Sequence, residues 1–174
     1  IDTQLAALGT AQIASMKATQ IKAIETRDLH GLTTTQMEAL TSTQVAAFSS
    51  NQLAALSTAQ LAAIETQDLV ALSAKQISTL SAAQVAGLGT EQITNLRPYQ
   101  IAAFTTDAVA ALTSAQLQAM TSQQIGALKT SQIQAMTSGQ ISALGTDQLE
   151  GLTSQQIGAI ETRDLQGFST SQVA

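Results

Sequence analysis

The chain has 174 residues, a net charge of −5, 11% charged, 44% hydrophobic and 2% aromatic residues, and no Cys or Trp. Seven scattered Lys and Arg do not make the basic patch that phosphate binding needs, so nucleic acid is excluded as a partner. Regularly placed apolar residues argue against disorder, no apolar stretch reaches the length of a membrane span, and the lack of Cys removes disulfides and thiolate metal sites.

From Ile1 onward the chain repeats one eight-residue phrase without insertion or deletion: [Thr/Ser/Gly]-[Thr/Ser]-x-Gln-[Ile/Leu/Val]-x-Ala-[Leu/Phe/Ile/Met]. Thr41–Phe48 and Thr121–Leu128 are two copies. A fixed short period is the mark of one small unit stacked along an axis, so residues 1–174 are read as a single uninterrupted array. The array starts in register at position 1 and stops at position 6, which is expected of a fragment of a longer one.

Within the octad, position 4 is Gln from Gln4 to Gln172 except at Asp28, Asp68, Ala108 and Asp164. Positions 5 and 8 are apolar throughout, position 7 is small in most copies, and positions 3 and 6 vary. An i, i+3 apolar pair suits a helical turn and not a strand, where i and i+2 share a face. A continuous helix fails on arithmetic: eight residues at about 100° each turn the apolar stripe by roughly 80° per repeat. Thr or Ser at position 1 with Gln at position 4 has the spacing of a capping box. Pro98 falls at position 2, the first helical residue, where proline is tolerated. Gly9, Gly89 and Gly145 fall at position 1, where glycine is expected to ease the backbone between helices. The pattern therefore predicts an all-α solenoid or superhelix of very short helices, about six residues each, one per octad. The alternative is a β-solenoid, supported by the Thr content and the branched residues at position 5. In the helical reading, positions 5 and 8 form the core, Ala at position 7 permits close approach, and positions 3 and 6 meet solvent. The Gln column is expected to form a structural ladder of side-chain amides running from one repeat to the next.

One variant octad recurs in chain order. Ile24-Glu25-Thr26-Arg27-Asp28-Leu29, Ile64-Glu65-Thr66-Gln67-Asp68-Leu69 and Ile160-Glu161-Thr162-Arg163-Asp164-Leu165 share Ile-Glu-Thr-x-Asp-Leu. Glu25, Asp28, Glu65, Asp68, Glu161 and Asp164 are candidate Ca²⁺ ligands, since Ca²⁺ takes several oxygens. Two carboxylates per octad suffice only if superhelical turns bring the units together. The structural alternative is a different helix start, with Asp supporting the first turn. His30, the single histidine, sits at variable position 6 and is expected on the surface. Arg97-Pro98-Tyr99 begins the least regular octad, and Arg97 and Tyr99 are candidate binding residues because both types favour interfaces. The plentiful hydroxyls hold cap positions and lack histidine partners, so no catalytic or cofactor-binding residue is expected and the chain is not read as an enzyme.

The phrases Ala-Leu-Thr-Ser-x-Gln-Ile-x-Ala-Leu and Ile-Glu-Thr-Arg-Asp-Leu resemble octapeptide-repeat arrays of very large bacterial exported proteins. Ala111–Met120 matches the first phrase with Leu117 for Ile and Met120 for Leu, and Gly151–Ile160 is similarly close. Such parents are described as haem-utilisation or adhesion, RTX-like or haemagglutinin-like surface proteins. The resemblance implies an extracellular or cell-surface location and a spacer or stalk role beside neighbouring domains. It carries over no haem ligand, because His30 matches no repeat motif. The alternative function is a solenoid binding module facing a host or cell-surface protein or glycan. The chain is expected to be a monomer with no cofactor and no membrane insertion.

Overall fold

A computed structural model describes residues 2–160, with side chains from residue 4 onward. Those residues form nineteen α-helices and one 3-10 helix, each four to six residues long and one per octad, with no strand among them. This is the expected all-α repeat solenoid, and the β-solenoid alternative falls away. The 3-10 helix, Thr26–Gly31, occupies the first Ile-Glu-Thr-x-Asp-Leu octad. No helix among the described residues is long and apolar enough to cross a membrane.

Each unit is built from local bonds. Position 1 is extended, as at Thr121 with φ −73° and ψ 158°, and its hydroxyl accepts from the position 4 amide at 3.2 Å. The Gln124 side-chain Oε1 accepts from the Thr121 backbone N–H at 2.8 Å, completing the capping box. At the other end the position 8 N–H donates to the position 5 carbonyl, as Leu128 does to Ile125 at 3.1 Å. The chain thus reverses into the next helix through two extended residues, with no positive φ at any described position. Gly9, Gly89 and Gly145 have φ −71°, −67° and −74°, the same conformation as the Thr and Ser at this position. The expectation that glycine eases the backbone there is corrected: a β-carbon would meet only the Gln Oε1 at 3.6–3.8 Å. At Gly, Lys and Arg caps only the Gln half of the box forms, as at Lys129 with 2.6 Å.

Octads coil into a superhelix. All helix pairs in extensive contact are three octads apart, such as Ser122–Gly126 with Thr146–Glu150. Hydrogen bonds from position 4 reach back 28 and 31 residues, to the octad four earlier. One turn therefore holds between three and four octads, close to the three and a half that 28 residues represent. The core is one continuous column. Position 5 residues from Ile13 to Ile141 and position 8 residues from Leu32 to Leu144 are almost fully buried. Positions 2 and 6 of one octad lie against position 7 three octads later. The Thr94 Oγ1 donates to the Ala119 carbonyl at 3.1 Å, and Gly126 lies so near Gly151 that a β-carbon on it would stand 2.6 Å from the Gly151 carbonyl oxygen. Position 6 is therefore not wholly a solvent position. Ala62, Val70, Ala86, Ala102 and Gly126 are half-buried in this seam, while Lys22, His30, Glu38 and Glu150 are exposed.

Candidate functional site

The most elaborate side-chain arrangement in the molecule is the glutamine column. Gln124 accepts from Thr121 N–H through Oε1, and its Nε2 donates to the Ile93 carbonyl at 2.8 Å and the Leu96 carbonyl at 2.7 Å. The same triad of bonds recurs at Gln44, Gln52, Gln60, Gln84, Gln116, Gln140 and Gln148, in several cases with a further weaker contact to position 6. The acceptors are carbonyls left over at the C-terminal end of a short helix, and the column supplies their donors from one turn further on. The expected amide-to-amide ladder is therefore corrected. The glutamines bond to backbone, and they tie the start of one helix to the end of a helix four octads earlier. No buried side-chain polar atom among the described residues lacks a partner.

Exceptions follow from this geometry. Gln4, Gln12 and Gln20 are exposed because no octad of this chain lies four earlier. Asp68 is buried but has no amide to donate; its Oδ1 instead accepts from the Ser42 hydroxyl, three octads back. Ala108 fills the column with a methyl group.

The candidate Ca²⁺ residues are placed as follows. Asp28 is buried, Glu25 is exposed, and Arg27 pairs with Glu25 at 2.7 Å and lies 3.9 Å from Asp28. Glu65 accepts from Gln67 Nε2 at 2.7 Å, and neither Glu25 nor Glu65 makes a side-chain cap bond to its helix. The two units are five octads apart, whereas the superhelix brings together octads three and four apart, so they do not meet. Glu161 and Asp164 lie outside the described residues. Among the described residues no three His, Cys, Asp or Glu gather to hold a metal ion. His30 is exposed.

Arg97 and Tyr99 are both exposed, Tyr99 by 50%, at the helix Pro98–Ile101. Beside them an open groove of about 430 Å³ is lined by Pro98, Ser122, Gln123, Gly126, Ala127 and Gly151. A second groove of about 870 Å³ collects Glu38, Glu65 and Glu91 with Asn95 on its walls. Its acidic residues come from octads four and three apart. The octad period alone carries no information on which octads become neighbours, so this grouping was not readable from sequence.

The octads are those of a known repeat. The ALTTAQ repeat family matches the chain at residues 21–58, 61–98, 98–130 and 125–159. The chain belongs to the ALTTAQ repeat family, as a tandem array. No curated protein matches it.

Proposed function

We propose that this array is a structural spacer: a stalk segment of a large bacterial exported, adhesin-like surface protein, acting outside the cell between neighbouring domains. The observation that carries this reading is the unbroken turn-to-turn suture. Most octads grip those three and four away through the same seam and the same glutamine bonds. Such a rod transmits position along its axis, and inserted octads change its length without changing its section. Variable charged residues, including Lys22, Glu38, Arg27 and Glu91, are spread over the outside and keep it solvated.

A second reading has one observation of its own. Tyr99 stands half-exposed beside the Pro98 groove, in the octad that departs most from the repeat. There the superhelix would present a protein- or glycan-binding surface.

The two readings separate in one experiment. The chain has no Cys, so single cysteines at exposed Thr19 and Gln155 can carry a fluorophore pair. Removing residues 57–88, four whole octads, is expected to leave a folded helical protein and shorten the dye separation by about 10 Å, one helix-to-helix spacing. An unchanged separation or loss of helical signal overturns the spacer reading. Loss of cell or glycan adhesion in Arg97→Ala/Tyr99→Ala, with the length variant still adhering, favours the binding surface.

A further inference from the structure

The superhelix has two chemically different ends. At the first turn, Gln4, Gln12 and Gln20 are exposed. Gln12 and Gln20 hold their own helix starts through Oε1, at 2.8 Å from Gly9 N and 2.7 Å from Lys17 N. Their Nε2 groups point to no carbonyl, because the turn they would reach is absent from this chain. Around them Leu5, Leu8, Met16 and Ile24 are only partly buried, although the same positions are almost fully buried through the rest of the core.

The other end is the complement. Leu149 and Leu152 are partly buried and Ile157 is 45% exposed, again at positions buried elsewhere. Their carbonyls, with that of Ile160, are the kind that interior glutamines cap. Within the 174 residues no column glutamine stands 28 or 31 residues after them. One end thus offers amide donors and an apolar rim, and the other offers carbonyl acceptors and an apolar rim. The interface that would join them already occurs at every interior turn, as in Gln124 on Ile93 and Leu96.

We infer that the occupant of the amide end is the carbonyl end of a second copy, stacked in register as a further turn. The contact uses different patches on the two partners, so it is head-to-tail and does not close. Copies add into short filaments whose length grows with concentration. The inference goes beyond the spacer reading and stands whether or not that reading does.

The test is sedimentation velocity of the whole 174-residue chain from micromolar to millimolar concentration. The weight-average sedimentation coefficient is expected to rise steadily, with species beyond the dimer. Gln4→Glu/Gln12→Glu/Gln20→Glu keeps the acceptor that each helix start needs and removes the donor. It is expected to weaken association at least tenfold with an unchanged circular dichroism spectrum. Gln12→Glu alone gives a smaller loss and serves if the triple variant misfolds. A coefficient independent of concentration, association that stops at a dimer, or association that survives both variants overturns the inference.

Discussion

At the residue scale, the molecule depends on what one carboxamide can do. Glutamine has an acceptor and donors on the same flat group, and at position 4 both are used at once, on opposite sides of a turn boundary. Aspartate at 68 keeps only the acceptor, and alanine at 108 keeps neither. Gln124→Ala removes one capping bond and two bonds between turns and leaves the Ile93 and Leu96 carbonyls buried without that donor. The expected loss is about 2–3 kcal/mol, read from the urea midpoint. Gln12→Ala removes only the exposed bond to Gly9, and its cost is expected to stay below about 1 kcal/mol. Equal losses at the two sites would show that the bonds between turns contribute nothing. The converse change, Ala108→Gln, places an amide 28 residues after Leu80 and 31 after Ile77. It is expected to stabilise by roughly 0.5–1.5 kcal/mol in the same assay, because it adds the missing donor to an existing column.

At the scale of the element, the helix itself was legible in the sequence and its neighbours were not. The Thr121–Gln124 spacing announced a capping box, Pro98 announced a first helical residue, and the pair Ile125 and Leu128 announced an inward face; all three stand in the structure. These are contacts over three residues, and a local pattern holds them. The second function of Gln124 involves partners 28 and 31 residues away. A strictly periodic sequence looks alike at every multiple of eight, so it cannot say whether a residue meets the next octad or the fourth. For the same reason the carboxylates of Glu25 and Glu65 could be proposed as partners, and Glu38, Glu65 and Glu91 could not be foreseen around one groove. The glycines mislead in a similar way. Those at position 1 have ordinary extended backbone and need not be glycine, whereas Gly126 and Gly151 sit where two helices touch. Gly126→Ala would push a methyl group into the Gly151 carbonyl, 2.6 Å away, and neither backbone can yield without moving its helix. The expected cost is about 1–3 kcal/mol by thermal or urea unfolding. A neutral result would mean that the seam between octads three apart is loose.

At the scale of the whole molecule, stability is a sum over many equal joints, with no keystone. The core is a column with uncovered apolar residues only toward its ends, at Leu5, Leu8, Leu149 and Ile157. A further consequence concerns force. The glutamine bonds cross between turns, so a pull on the two termini loads them one turn after another. The terminal octad holds on to the octads three and four inward, and when it lets go the next octad meets the same grip. Each release pays out roughly 27 Å of extended chain. Stretched in this way, the rod behaves as a coiled tether that yields in small, nearly identical steps and so dissipates a sudden load. The steps soften at the two places where the amide is missing, Asp68 and Ala108.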